Sequence, residues 1–347
     1  MTMLGRLSSI TQVRNSFPEE SQTIISSIKL IEINHDLACN LMCKSIIKKG
    51  RQGVRMINID SYWHEKIHNV MPDLEIRHYK KHQEGLVNDV LLVNDTWVIR
   101  FTKTGWGKEL MDLEVQLMRF LQTRLSLKVP FPEKHEEGVL VYRLLEGIDF
   151  LKKTWKETDE AHQQALADQI GRFLRELHGI TTENLDWEVP LTLAPVTRET
   201  WLDIHQRVEE KVNPLLLPHQ IHWIEDLFES ALAIPDFFDF EPALIHGDLA
   251  PYHILYLPEE QRLNAILDFG ISGMGDPATD LGNLICNYGE SLVKRIRSQY
   301  PMYDDLLPRA RFYAQALEVQ WVLLGVESGE NYWFTAHLGG ARDTGHA

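Results

Sequence analysis

The chain has 347 residues, 44% hydrophobic and 24% charged, the balance of a soluble globular protein long enough for two lobes with separate cores. Its formal net charge of −15 argues against a nucleic-acid partner and suits a cationic small molecule. The three cysteines, Cys39, Cys43 and Cys286, make neither a disulfide framework nor a metal-ligand spacing, and no apolar run reaches membrane-spanning length, so a cytoplasmic protein without a membrane partner is expected.

In chain order, residues 1–56 carry no motif. Residues 24–43 are apolar enough for a helix or a strand, and the basic stretch 44–56 has the character of a solvated linker. An extension over residues 1–60 is expected ahead of the folded body, with Met56 as an alternative start. From residue 73 the pattern becomes strand-like over 74–79, 90–93 and 97–101, with Asn94-Asp95 as the tight turn between the last two. Residues 109–125 are amphipathic, with Leu110, Leu117 and Leu121 at helical spacing and Glu114 on the same stripe. A carboxylate on an apolar face calls for a cation, and Arg100 in the preceding strand is the candidate; the alternatives are a solvent-facing Glu114 or Glu109 as the partner.

Further on, Thr158, Asp159 and Glu160 open a helix whose stripe of Leu166, Ile170, Phe173, Leu174 and Leu177 stops at Gly179. His178 reads as a capping or core-edge residue rather than a ligand. Residues 201–212, 219–232, 291–298 and 306–327 read as further helices, the last with Phe312, Ala316, Val319, Leu323 and Val326 inward, and the segment after it is expected to fray.

The chemistry concentrates between these helices. Apolar runs 243–245 and 254–257 bracket the polar loop 246–253, and a third run, 263–267, ends on Asp268. Asp248 and Asp268 thereby stand at the ends of strands. Phosphoryl transfer asks for one carboxylate to accept or orient a hydroxyl proton and another to hold Mg2+ against the phosphates. His246, Asp248, four intervening residues, position 253 and then Asp268-Phe269-Gly270 follow the kinase spacing, with His253 where a metal-binding Asn is expected.

HGDLAPYHIL followed by ILDFG and GDPATDL resembles the aminoglycoside phosphotransferase family, small-molecule kinases that share the protein-kinase fold. The resemblance runs from about Ser61 to Trp333. It implies a two-lobed α+β fold: the extension 1–60, an N-lobe over 61–141 with a small antiparallel sheet that clamps the nucleotide, and a larger, mainly helical C-lobe over 142–347. It implies Asp248 as the base or orienting carboxylate and Asp268 as the main Mg2+ ligand. His246 and Asp280 would brace the loop.

The same resemblance makes residues 84–90, with Gly85 alone where protein kinases have three glycines, the phosphate-covering loop. Arg100 stands in the place of the phosphate-pairing Lys, which fits phosphate through its forked guanidinium. The backbone around Tyr142, Leu144 and Leu145 would meet the purine of ATP or GTP. Mg2+ prefers oxygen ligands, so His253 is expected to make a weaker or water-mediated contact, with Mn2+ tolerated; the alternative is a histidine that only packs the loop. Glu318, Trp321, Glu327 and Trp333 are candidates for an amine-bearing acceptor, or else a solvated face. The leading expectation is transfer of the γ-phosphate to a hydroxyl of an aminoglycoside or related antibiotic. A choline, homoserine or sugar kinase of the same family and a non-catalytic nucleotide-binding relative are the alternatives.

Overall fold

The protein is a two-lobed α+β kinase-like molecule, seen in a computed structural model that describes residues 61–82 and 87–329. The expectations for residues 1–60, Gly85 and Trp333 lie outside the described residues.

The N-terminal sheet has the order β1-β2-β3-β5-β4 and is antiparallel throughout, with β1 at Tyr79–His82, β2 at Asn88–Val93, β3 at Trp97–Thr102, β4 at Lys134–Glu136 and β5 at Val139–Arg143. Asn94 and Asp95 both have positive φ, 53° and 50°, as a two-residue hairpin turn requires. The strand expected over 74–79 begins only at Tyr79. The segment before it is tied to a side chain instead of a ladder: Asn94 Oδ1 accepts from the Arg77 and His78 amides, and Asn94 Nδ2 donates to the Glu75 carbonyl. A side chain that satisfies three backbone groups removes the need for strand pairing there.

Strand alternation assigns the two faces of this sheet. Ile99 and Phe101 pack with Leu91, Val93 and Val141 against Trp63, Ile67 and Val70 of α1, which spans Ser61–Val70. Arg100 points the other way, toward α2 at Gly105–Leu121. This helix starts four residues earlier than expected because Thr104 caps it, its hydroxyl accepting from the Gly107 amide at 3.2 Å.

Beyond the sheet, the short β6 at Ile148–Asp149 pairs with β8 at Ile254–Leu257, and β8 with β9 at Arg262–Ile266. β7 at Ala243–Ile245 pairs with β10 at Gly273–Gly275. Around them lie α3 (Lys152–Glu157), α4 (Glu160–His178), α5 (Arg198–Lys211), α6 (Pro218–Leu232), α7 (Ala278–Tyr288), α8 (Glu290–Ile296) and α9 (Tyr303–Ser328). Asp159 caps α4 by accepting from the Ala161 and His162 amides, so this helix begins where the sequence places it. α4 is the central post, burying Leu166, Ile170, Phe173, Leu174 and Leu177 in a core shared with α7 and α9. The connector after α2 joins this region directly, because Lys128 pairs with β9 through the Lys128 amide to the Asn264 carbonyl and the Ile266 amide to the Lys128 carbonyl. Among the described residues no helix is long and apolar enough to cross a membrane.

Candidate active site

The strand β7 delivers the chain into the loop that starts at His246. Gly247 has φ of +83°, and a Cβ there would stand 3.1 Å from Thr192 Oγ1 and 3.3 Å from Ile271, so the turn needs glycine. The backbone of this turn is fully satisfied. Asp280 accepts from the His246 amide at 2.9 Å and the Gly247 amide at 2.8 Å, Ser272 Oγ donates to the His246 carbonyl at 3.0 Å, and Asn283 Nδ2 donates to the Gly247 carbonyl at 3.0 Å. Such a turn holds the next side chain, Asp248, in one place.

The His246 ring links the two carboxylate-bearing segments. Its Nδ1 accepts from the Asp248 amide at 3.2 Å and its Nε2 donates to the Leu267 carbonyl at 2.9 Å, one residue before Asp268. These partners fix a neutral tautomer, and burial likewise lowers its pKa. His246 and Asp280 thus both hydrogen-bond the backbone of the turn that precedes Asp248.

Asp248 and Asp268 come together around His253, which ends the short 3-10 turn Pro251–His253. The His253 Nδ1 donates to the Asp248 carbonyl at 2.9 Å and lies 3.1 Å from Asp248 Oδ2, while Nε2 lies 3.4 Å from Asp268 Oδ2. Burial lowers the pKa of this ring, but Asp248 and Asp268 more than reverse it and raise it well above the ordinary 6.5. Burial also opposes the charge of Asp268, yet His253 and Arg100 bring its pKa well below the usual carboxylate range. Asp268 itself adopts φ of +63°, an uncommon conformation for a residue with a side chain. The buried Asp248 Oδ2 meets the His253 Nδ1 at 3.1 Å as an ion pair, while the directed hydrogen bond of that N–H goes to the Asp248 carbonyl.

Arg100 and Glu114 close the third side. Arg100 Nη1 donates to Glu114 Oε1 at 2.6 Å, and Glu114 is only 2% exposed, so its place on the apolar stripe is explained by the cation rather than by solvent. Burial disfavours the Arg100 charge, but Glu114 and Asp268 raise its pKa. Glu114 in turn meets the Phe269 amide, which ties α2 to the segment bearing Asp268.

The remaining candidates divide. The Leu144 amide donates to the Thr96 carbonyl at 2.8 Å and so is not available to a purine, which corrects that part of the expected contact. Tyr142 pairs with Val98 in the sheet, and Leu145 follows it with no backbone–backbone hydrogen bond among the described residues. Glu318 accepts from Cys286 Sγ at 3.6 Å, and Cys286 lies within electrostatic range of Tyr252, next to His253. Glu327 does not face that region: its carboxylate, 4% exposed, takes hydrogen bonds from Arg207 and Lys211, holding α9 to α5. Trp321 is buried to 8% exposure, because α9 is covered on most of its circumference instead of one face.

Several residues of the arrangement escape a sequence reading. His178 is fully buried, its Nε2 donating to Asp280 Oδ2 at 3.0 Å and its Nδ1 meeting the Tyr300 hydroxyl at 2.5 Å, so it is a core residue and not one at the edge. Asn283 has a usable signal, since it stands three residues after Asp280 and hence on the same face of α7. Among the described residues there is no group of three or more His, Cys, Asp or Glu side chains arranged as a metal cage. A single carboxylate, completed by phosphate oxygens and water, is nevertheless the donor set Mg2+ commonly takes at nucleotide sites.

A family model described as a phosphotransferase enzyme family, APH, matches residues 78–313. An uncharacterised protein of Bacillus subtilis (strain 168), YcbJ, is 25% identical over 216 residues, a match covering 59% of this chain and 67% of that protein. Viomycin phosphotransferase of Streptomyces vinaceus is 24% identical over 143 residues, covering 40% of this chain and about half, 49%, of the relative. Among solved structures, the GDP and kanamycin complex of APH(2")-IIia superposes with a TM-score of 0.71 at 25% identity, covering 81% of this chain and 97% of that one.

Proposed function

Because the chain belongs to the phosphotransferase enzyme family whose model spans residues 78–313, we propose that it moves the γ-phosphate of ATP or GTP to a hydroxyl of a cationic small molecule, an aminoglycoside or related antibiotic. The observation that supports this most is the buried Asp248 carboxylate on a rigid turn, with a second carboxylate, Asp268, across the His253 ring. A carboxylate has acceptor capacity beyond one ion-pair contact, and an acceptor hydroxyl is a donor that would use it.

In this reading Asp248 accepts a hydrogen bond from the acceptor hydroxyl and turns its oxygen toward the phosphorus. The transition state of phosphoryl transfer is mostly loose, so this orientation matters more than proton abstraction. Arg100, held in place by Glu114, meets phosphate oxygens with a charge it cannot lose. Asp268 would hold Mg2+, which when bound neutralises charge on the phosphates. His253 lies between the two carboxylates, Nδ1 on Asp248 and Nε2 toward Asp268, and would meet a metal on Asp268 only through a weaker or water-mediated contact. The prediction is that His253→Asn shifts the Mg2+ to Mn2+ preference of turnover; an unchanged preference and rate would remove any special role for the histidine.

The acceptor is assigned to the side of Tyr252, Cys286 and Glu318, where a carboxylate suits an ammonium group and agrees with the net charge of −15. Viomycin in one relative's name and kanamycin in a neighbour's complex are both chemically compatible with that assignment. The purine is assigned to the backbone at Leu145. The test is nucleotide consumption by the purified chain with ATP or GTP across aminoglycosides, macrolides, viomycin and small metabolite alcohols. Acceptor-dependent consumption is expected to fall by about 100-fold or more in Asp248→Asn. Consumption that ignores the acceptor, or survives in the variant, contradicts the reading.

A further inference from the structure

Asp276, four residues before Asp280, has no exposed surface. Its carboxylate accepts from Arg309 Nε at 2.6 Å and Arg309 Nη2 at 3.2 Å, from the Tyr313 hydroxyl at 2.9 Å, and from the Ala278 amide at 3.0 Å. Those four donors use the capacity of a carboxylate. Arg309 and Tyr313 belong to α9, and Ala278 is the first residue of α7, so one buried charge joins the two helices at the start of α7.

The same turn of α9 makes the closest approach to α7. A Cβ on Gly282 would stand 2.8 Å from Tyr313 Cβ and 3.1 Å from the Ala310 carbonyl. α7 then reaches the loop of Asp248 with two side chains, Asp280 on the His246 and Gly247 amides and Asn283 on the Gly247 carbonyl. It also carries Cys286 toward Glu318 of α9. Any slip of α7 along α9 would move the donors and acceptors that hold Gly247, and with them Asp248.

We propose that Arg309, Asp276 and Tyr313 are positioning residues that lock the register of α7 on α9 and so fix the loop bearing Asp248 against the acceptor wall. The inference rests on the reading of Asp248 as the acceptor-facing carboxylate, and it adds residues more than twenty-five positions downstream that touch neither carboxylate of the site. A bidentate guanidinium on a buried carboxylate gives direction as well as charge, which suits a register lock.

The test is hydrogen–deuterium exchange on the full chain, comparing wild type with Arg309→Gln, Tyr313→Phe and Arg311→Gln. Arg311 serves as the control because it makes the same forked pair on the same helix, to Glu290 at the start of α8, but half-exposed and at the far end of α7 from Asp276. Exchange at the His246 and Gly247 amides is expected to rise about tenfold in Arg309→Gln, by a smaller factor in Tyr313→Phe, and not at all in Arg311→Gln, with Trp97–Thr102 unchanged throughout. In the acceptor assay, kcat should fall in the first two variants while the nucleotide KM stays constant. Loop exchange equal to wild type in both, or acceleration spread evenly into Trp97–Thr102, overturns the proposal. Should Arg309→Gln not fold, Tyr313→Phe decides. Absence of acceptor-dependent turnover in wild type would sink the phosphotransfer reading alone, since the exchange pattern is read without substrate.

Discussion

Asp280 shows how one side chain can govern another that it does not touch. It accepts three hydrogen bonds, from His178 Nε2, the His246 amide and the Gly247 amide, and no part of it is exposed. Burial works against its charge, but His178 and His246 bring its pKa below the ordinary 3.8. A carboxylate depressed on folding stabilises the native state above its unfolded pKa, and that contribution is lost as pH falls through the lower folded value. Asp280→Ala is therefore expected to cost about 3–5 kcal/mol in urea unfolding near pH 7. The gap from wild type should narrow as pH drops below 3.8; a gap that stays constant into acid would show that the charge contributes nothing. Among individual residues, the Arg100 and Glu114 pair was legible because a carboxylate on an apolar stripe demands a cation within reach of one strand. Glu327 misled for the complementary reason: its cations, Arg207 and Lys211, lie more than a hundred residues earlier, where no local pattern joins them.

At the scale of elements, hairpins and caps read well because their determinants are local. Asn94-Asp95, Thr104 and Asp159 each act on backbone groups within a few residues. The strand before the hairpin did not read well, since Asn94 reaches back to Glu75, Arg77 and His78 and replaces a ladder with side-chain bonds. α9 itself read correctly as a helix over 306–327, but its burial on most of its faces takes in Trp321, which the sequence placed at an acceptor or on a solvated face. The closeness of α7 to α9 yields an element-scale prediction. Alanine favours a helix over glycine by about 1 kcal/mol, but at Gly282 its methyl would meet Tyr313 Cβ at 2.8 Å. Gly282→Ala is thus expected to lower the denaturation midpoint, with overpacking of about 1–3 kcal/mol outweighing the propensity gain. A raised midpoint would show that the two helices can separate without loss.

For the whole molecule, the order of three motifs within about forty residues announced the kinase-like architecture before any side chain was placed, because loop, metal strand and bracing helix must follow one another to converge. What converges on them is not local: a sheet strand brings Arg100 and α2 brings Glu114 to the segment of Asp268 and Phe269, while α9 brings Arg309 and Tyr313 to Asp276 ahead of α7. The architecture gathers the Asp248 and Asp268 carboxylates on either side of His253, with the Arg100 cation acting on Asp268, the groups the proposed phosphoryl transfer would use.

The most direct test follows the phosphorus itself. The purified chain is incubated with γ-labelled ATP or GTP, Mg2+ and the acceptor that scores highest in the panel, and the destination of the label is read by mass spectrometry. The account predicts label on a hydroxyl of the acceptor in wild type and none in Asp248→Asn, with nucleotide still bound by the variant. Label that stays on the nucleotide or appears only as inorganic phosphate, with every acceptor of the panel, would contradict it.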